Sequence, residues 1–201
     1  MTAGGTVEAA AAAARRGSLV VFPTDTVYGI GTRPDDPAAT ARLFAAKRRA
    51  RELTLPVLVA TTDDARRVAV FDERASRVAT AFWPGALTLV LARTGVSRGW
   101  ELGGDGATIG VRVPDHPVAR TLLERAGPLA ATSANRSGKP PGRDHDELVA
   151  MFGAEVAVYV STDVPFGGAA STVIELTGPE PKILRGGDVD PELVIGLATT
   201  S

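Results

Sequence analysis

The sequence contains no cysteine and two histidines, His116 and His145, in 201 residues. The absence of cysteine excludes disulfides, thiolate metal sites and cysteine nucleophiles, and two histidines do not suffice for a histidine-rich metal site. Apolar runs of the roughly 20 residues needed to cross a bilayer are also missing. An early alanine run precedes Arg15 and Arg16, whereas an export signal places its basic residues first. We therefore expect no membrane segment and a cytoplasmic location.

An excess of charge of either sign is missing too. Lysine and arginine total 22 against 23 acidic residues. General nucleic-acid binders usually carry a clear basic excess, so a polyanion would have to be met here by a local cluster of positive charge. This composition favours a small phosphate-bearing ligand over a long duplex.

Helix-like and strand-like segments alternate along the chain without a repeat or a linker. The predicted helices cover residues 7–16, 36–47, 63–70, 72–82 and 117–126, and two more begin at Asp144 and Asp190. The predicted strands are 18–22, 56–60, 87–92, 108–113, 129–132, 172–176 and 182–184, with another near Tyr159. Because the last strands have no helix between them, some pairing should be antiparallel. The pattern predicts one α/β domain over residues 1–201, a twisted open mixed sheet with helices packed on it.

Residues 23–31 read PTDTVYGIG and directly follow the buried strand 18–22. Ligands collect at strand ends in α/β folds, so Thr24, Asp25 and Thr26 are candidates for binding a small polar substrate. An ordinary turn explains the same residues about equally well, because Thr and Asp readily bond their own backbone. The two glycines match neither a dinucleotide fingerprint nor a Walker loop. We predict a polar loop, with both interpretations open.

Residues 47–51, KRRAR, place four cations at the end of a predicted helix. Like charges repel one another there, and the helix C-terminus offsets part of that repulsion. A bound triphosphate would offset much more, since lysine supplies a point charge and arginine a fork of donors. A solvated charged patch is the alternative interpretation of this run.

A third polar segment, residues 131–140 (ATSANRSGKP), also follows a short apolar strand. It combines hydroxyl groups, the amide of Asn135 and the cations of Arg136 and Lys139. An amide offers both a donor and an acceptor, which suits an adenine edge or a phosphate–ribose junction. The alternative is a plain turn.

Two isolated arginines complete the candidates. If the apolar residues of strand 108–113 face the core, Arg112 lies on the opposite face with Thr108 and Gly110. Arg185 ends the strand 182–184 and enters Gly186-Gly187, where a ligand can approach closely. Each arginine is explained equally well as a surface residue paired with an acid.

Taken in order, these segments resemble the YrdC-type threonylcarbamoyl-AMP synthase family from Leu19 to Arg185. The matching motifs are PTDTVYGIG at 23–31, Lys47-x-Arg49 with Thr54-Leu55, FWPGALT at 82–88, VRVPDHP at 111–117, Ser133-Ala134-Asn135-x-Ser137-Gly138, and Ser171-Thr172-Val173. Six ordered motifs over nearly the whole chain make the resemblance specific. It implies a YrdC-like (RibB-type) fold with a large concave cavity.

The resemblance also implies a reaction. Threonine would take up bicarbonate or carbon dioxide to give an N-carboxylate, which attacks the α-phosphate of ATP and releases pyrophosphate. The product would serve a separate threonylcarbamoyl transferase system that modifies tRNA. Contact with tRNA or double-stranded RNA is a further expectation, and magnesium is expected to arrive with ATP and to need few protein ligands.

Site residues carry over from the family motifs. The catalytic set is Lys47, Arg49, Ser133 and Asn135. The threonine-binding set is Thr26, Arg112, Ser133 and Ser171. The nucleotide-binding set is Lys47, Arg49, Thr108, Asn135, Arg143 and Arg185. The resemblance identifies no protein metal site and no general base.

Some positions depart from the family pattern. Leu58 stands where some relatives have histidine, and Arg143 stands where relatives often have threonine, so Arg143 would either bind ATP or face water. We also expect the extra C-terminal domain of longer relatives to be absent. Three alternatives stay open: a YciO-like relative of unclear substrate, an RNA-binding or ribosome-maturation module that uses a basic cavity, and the YrdC-like domain of hydrogenase-maturation carbamoyltransferases, which the lack of cysteine disfavours.

Overall fold

The computed structural model describes residues 5–162 and 169–200, which form nine strands and seven α-helices. The strands are β1 (Leu19–Phe22), β2 (Gly29–Thr32), β3 (Val57–Leu58), β4 (Leu87–Ala92), β5 (Thr108–Arg112), β6 (Leu129–Ser133), β7 (Val156–Tyr159), β8 (Thr172–Glu175) and β9 (Lys182–Arg185). The helices are α1 (Val7–Arg15), α2 (Pro37–Lys47), α3 (Thr62–Val68), α4 (Glu73–Phe82), α5 (Pro117–Ala126), α6 (His145–Phe152) and α7 (Pro191–Thr199), with a 3₁₀ turn at Gly153–Glu155. None of these helices is long and apolar enough to cross a bilayer.

All nine strands belong to one open sheet in the order β7-β1-β2-β6-β3-β5-β4-β8-β9. Three pairs are parallel, β1 with β7, β3 with β5 and β4 with β8, and the other neighbours are antiparallel. The last two strands pair antiparallel without an intervening helix. The predicted mixed sheet with packed helices is therefore confirmed.

Alternation along the strands sends apolar side chains to two separate cores. Leu19 and Val21 join the larger core with helices α2, α3, α4, α6 and α7. Val20 and Phe22 point the other way and join a smaller core with α1 and α5. That smaller core takes residues from β1, β3 and β6, whereas the same face of β4, β5 and β8 lines two cavities.

The helix starts follow from local sequence. The Asp36 side chain accepts hydrogen bonds from two backbone N–H groups at the start of α2, where Pro37 fits because its own N–H is missing. Asp144 caps α6 by accepting the N–H of Glu147. The Glu147 carboxylate, however, accepts the N–H of Arg143 at 2.9 Å. The predicted capping-box spacing therefore yields a reciprocal cap displaced by one residue.

Strand β2 corrects the sequence interpretation, which placed Gly29, Ile30 and Gly31 in a loop. These residues pair antiparallel with β1 on one side and β6 on the other. Close neighbours explain the glycines: a Cβ on Gly31 would lie 2.9 Å from the Ala130 carbonyl oxygen. The loop is thus confined to residues 23–28, and the strand behind it fixes where that loop ends.

Candidate active site

Two adjoining cavities lie over the face of the sheet formed by β4, β5 and β8. The first has a volume of about 170 Å³ and includes Thr26, Leu58, Arg112, Ser133 and Ser171 in its wall. The second has a volume of about 490 Å³ and is lined by Thr108, Gly110, Val173 and Glu175, among others. Four residues line both cavities: Arg49, Pro56, Thr88 and Arg185. The volume of the second cavity lies within the usual range for small-molecule binding sites.

The loop 23–28 combines the two roles that its sequence left open. Thr24 stabilises the turn, since its hydroxyl oxygen accepts the N–H groups of Thr26 and Val27, each at 3.3 Å. Asp25 and Thr26 instead turn their side chains to Arg112. Thr24 therefore stabilises the turn and, like Thr26, lines the first cavity, whereas Asp25 pairs with Arg112.

Arg112 is held in the first cavity by three fixed acceptors. Its guanidinium donates to Asp25 Oδ1 at 2.6 Å, to Thr26 Oγ1 at 3.1 Å and to the Gly85 carbonyl at 2.9 Å. A guanidinium carries five N–H groups, so two stay free of these partners. The buried ion pair with Asp25 orients the arginine and leaves it able to bind a carboxylate.

The end of helix α2 positions the basic run. Arg48 adopts the left-handed conformation with φ 49°. The backbone N–H of Arg48 donates to the Ala45 carbonyl oxygen, and the N–H of Arg49 donates to the Phe44 carbonyl oxygen. This is the Schellman arrangement, usually made with glycine. It reverses the chain between Lys47, which is buried, and Arg49, which lines both cavities. The solvated-patch interpretation fails for these two cations.

Lys47 is 2% exposed, and its ammonium group faces the loop after β6. Its Nζ donates to the Ser133 carbonyl oxygen at 2.5 Å and to Asn135 Oδ1 at 2.8 Å. Burial, and secondarily the positive charge of Arg49, lower the pKa of Lys47 to about 7. The ammonium is therefore poised to titrate near neutral pH.

Asn135 ties that loop together. Its Oδ1 accepts from Lys47 and from the Ser133 hydroxyl at 2.6 Å, while its Nδ2 donates to the carbonyls of Arg136 at 2.9 Å and Lys139 at 2.6 Å. Both lone pairs and both N–H groups of the amide are thus engaged. A contact between Asn135 and a nucleotide would require one of these bonds to be exchanged.

Arg49 and Arg185 are the cations shared by the two cavities. Their donors reach neutral oxygens: Arg49 bonds to the Thr54 carbonyl at 3.1 Å, and Arg185 bonds to the Ser171 carbonyl at 2.8 Å. Neither forms an ion pair within the described part of the chain. Burial lowers the pKa of both groups, and repulsion by Arg185 lowers that of Arg49 further. Arg49 is half-buried and Arg185 is exposed, and both face the cavities without a counter-charge in the described part of the chain, so the pair is a candidate anion site.

The structure separates the remaining predicted residues. Thr108 lines the second cavity, Ser133 and Ser171 line the first, and Lys47 and Asn135 lie behind Ser133. Arg143 lines neither cavity. Its side chain is 85% exposed and pairs with Glu147, so it faces water in this structure.

Thr88 is a cavity residue that the sequence interpretation did not select. It is buried, lines both cavities and lies 2.9 Å from the Ser171 hydroxyl. A signal was present, because Thr88 is a lone polar residue in the apolar strand LTLVLA and occupies the face opposite Leu87 and Leu89.

The side chains that could act as metal ligands indicate how a metal ion would bind. Across residues 5–162 and 169–200, no group of three or more His, Cys, Asp or Glu side chains is arranged to hold a metal ion. Glu52 and Glu175 line the second cavity. One or two carboxylates beside a phosphate site match the way magnesium usually binds with a nucleotide.

The Sua5/YciO/YrdC family model, described as telomere recombination, matches residues 12–187. A Mycobacterium tuberculosis relative is 41% identical over 189 residues, covering 94% of this chain and 87% of its own length. The threonylcarbamoyl-AMP synthase of Chromohalobacter salexigens is 37% identical over 175 residues, covering 85% of this chain and 92% of its own.

Solved structures show the same fold. Pyrococcus abyssi Sua5 complexed with L-threonine superposes with a TM-score of 0.86 at 34% identity over 95% of this chain. The chain spans 56% of that larger protein. Escherichia coli YciO superposes with a TM-score of 0.83 at 27% identity, covering 92% of this chain and 90% of its own.

Proposed function

The chain belongs to the Sua5/YciO/YrdC family, and on that premise we propose that it is a threonylcarbamoyl-AMP synthase. The substrates would be L-threonine, bicarbonate or carbon dioxide, and ATP, and the products would be threonylcarbamoyl-AMP and pyrophosphate. A relative of similar length carries that name, and the similar P. abyssi structure contains L-threonine.

The observation that carries the proposal is the pair of adjoining cavities with unpaired cations at their shared wall. The first cavity offers an amino-acid-sized site with a carboxylate-binding arginine. The second is larger and includes apolar side chains beside Thr108 and Arg185. A reaction that joins a small amino acid to a polyphosphate needs two such sites with neutralising charge between them.

Threonine would occupy the first cavity with its carboxylate on the free N–H groups of Arg112. Thr26 and Ser171 would contact the same substrate, because both line this cavity. The threonine amine would add to carbon dioxide with loss of a proton, or to bicarbonate with loss of water, and give the N-carboxylate. An oxygen of the N-carboxylate then attacks the α-phosphorus of ATP. A new O–P bond forms, the bond from the α-phosphorus to the α,β-bridging oxygen breaks, and pyrophosphate leaves with that electron pair.

Arg49 and Arg185 would neutralise the negative charge that gathers at the shared wall as the carboxylate approaches the phosphate. Both already line the shared wall, so little reorganisation is needed. Lys47 and Asn135 would hold Ser133 at the cavity wall through their hydrogen bonds to its carbonyl and hydroxyl groups.

Magnesium is proposed to enter with ATP. It would shield phosphate charge, with phosphate oxygens and water as its main ligands and Glu52 and Glu175 as the acidic side chains at that cavity.

We further propose that the product passes to a threonylcarbamoyl transferase system for tRNA modification, in the cytoplasm. Direct contact with tRNA or double-stranded RNA would use the basic cavity edge. An RNA-binding or ribosome-maturation role would instead give RNA affinity that falls steeply with salt in a protein without turnover.

The deciding experiment is turnover. The purified chain is incubated with ATP, magnesium, bicarbonate and labelled threonine, and labelled threonylcarbamoyl-AMP and pyrophosphate are measured promptly. We expect product that depends on bicarbonate and on threonine, with serine as the matched control. Folded protein that binds ATP but forms no product would overturn the synthase assignment and favour the YciO-like alternative.

A further inference from the structure

Thr88 lies at the place where the two substrates of the proposed reaction must meet. If the amino acid occupies the first cavity and the nucleotide the second, the new O–P bond forms at their shared wall. Of the four residues in that wall, Arg49 and Arg185 are cations, Pro56 has no side-chain donor, and Thr88 alone carries a neutral hydroxyl.

The threonine side chain is held in one orientation. A Cβ placed on Gly110 would lie 3.4 Å from the Thr88 methyl group, so the methyl points toward β5. The hydroxyl lies on the other side, 2.9 Å from the Ser171 hydroxyl. Thr88 belongs to β4, which has β5 on one side and β8 on the other, so its backbone is fixed as well.

The hydrogen bonds around Thr88 form a chain that begins at a cation. Arg185 Nη2 donates to Ser171 Oγ at 3.0 Å, which polarises the Ser171 hydroxyl. Either hydroxyl can donate in the Thr88–Ser171 pair. In the arrangement with Ser171 as the donor, Thr88 accepts from Ser171 and keeps its O–H for a ligand in the cavity.

We propose that Thr88 is a catalytic residue that donates a hydrogen bond to the reacting oxygens at the junction of the two cavities. This inference rests on the proposed function and goes beyond the site residues that the family motifs supply. Thr88 transfers no proton. It stabilises negative charge on the N-carboxylate or α-phosphate oxygens as the O–P bond forms, and pyrophosphate leaves as described above.

The test compares Thr88→Val, which keeps the shape and loses the hydroxyl, with Thr88→Ser, which keeps the hydroxyl. We expect Thr88→Val to lower kcat for threonylcarbamoyl-AMP formation by about tenfold to a hundredfold, at or below the roughly hundredfold to thousandfold cost of losing one oxyanion-hole donor, with both KM values within about threefold. Thr88→Ser should keep kcat within about threefold of the wild type. Thr80→Val, on the exposed side of α4, is the matched control and should behave as the wild type.

Each other outcome overturns the assignment. A change confined to the KM for threonine would make Thr88 a ground-state contact of the amino acid, and equal loss in Thr88→Ser and Thr88→Val would make its role one of packing. If Thr88→Val does not fold, Thr88→Ala replaces it, because alanine and serine differ by the oxygen alone. A wild-type protein without turnover would refute the proposed function and this inference together, whereas an active wild type with an active Thr88→Val would refute this inference alone.

Discussion

Two groups of arginines in this molecule differ in where their guanidinium groups lie: one group joins segments of the framework, and the other lines the cavities. Arg93 donates to the carbonyls of Thr108, Ser97 and Trp100, and Arg136 donates to the Met151 carbonyl and forms an ion pair with Glu155. Arg49 and Arg185, in contrast, line both cavities. Partial burial lowers the pKa of both groups, and repulsion by Arg185 lowers that of Arg49 further, as repulsion by Arg112 does for Arg185. The first group holds the framework together, and the second is left able to bind an anion.

The difference follows from the energetics of buried charge. A buried guanidinium is tolerated when carbonyls or carboxylates surround it, and removing it then leaves those acceptors unsatisfied. A buried guanidinium facing like charges costs stability until a ligand supplies the counter-charge. Loss of a framework arginine should therefore reduce stability, and loss of a cavity arginine should reduce turnover.

The largest effect is expected from Arg49→Ala. Turnover should fall at least about a hundredfold, equivalent to about 2.7 kcal/mol, because charge at the shared wall is lost. The melting temperature should stay close to that of the wild type. Arg51→Ala is the control, since Arg51 belongs to the same basic run but is exposed and pairs with Glu101. An unfolded Arg49→Ala protein would place Arg49 in the framework group.

Arg136→Ala should have the opposite effect from Arg49→Ala, because it should reduce stability rather than turnover. Arg136 contacts the end of α2, the Met151 carbonyl, the Phe152 ring at 5.0 Å and Glu155, so its loss should reduce the free energy of unfolding by about 2 kcal/mol. Urea denaturation measures this, with the exposed Arg98→Ala as control. Unchanged stability would show that the contacts of Arg136 contribute nothing net.

The smallest effect per step of the measurement is the pH dependence that Lys47 confers on stability, which accumulates over several pH units. Its pKa is about 7 in the folded state and about 10.4 in an unfolded chain, so between these values the unfolded state binds more protons. The stability of the wild type relative to Lys47→Met should therefore rise with pH from 7 to 10, by at most about 1.4 kcal/mol per pH unit. Denaturation of both proteins at several pH values checks this. A constant difference would mean that Lys47 keeps its ordinary pKa when folded.

Local sequence was enough for much of the fold. Caps such as Asp36 and Asp72 and the alternation in LTLVLA are short-range signals, and they predicted helices and strands that the structure contains. Strand β2 was missed because its glycines resemble a turn locally, and they become a strand only when β1 and β6 pair on both sides. For Arg143 the sequence left two alternatives, ATP binding or exposure to water, and in this structure the side chain is exposed.

What the sequence determined by itself was most of the elements, the family and the candidate motifs, because periodicity, capping and ordered motifs are encoded in neighbouring residues. Tertiary structure decided how the charges are used. In the sequence, Arg49 and Arg136 both belong to polar segments that contain other cations, and Thr88 is a lone polar residue in an apolar strand. Their roles depend on which atoms from distant segments, such as Ser171 with Thr88 or Glu155 with Arg136, lie within hydrogen-bond distance after folding.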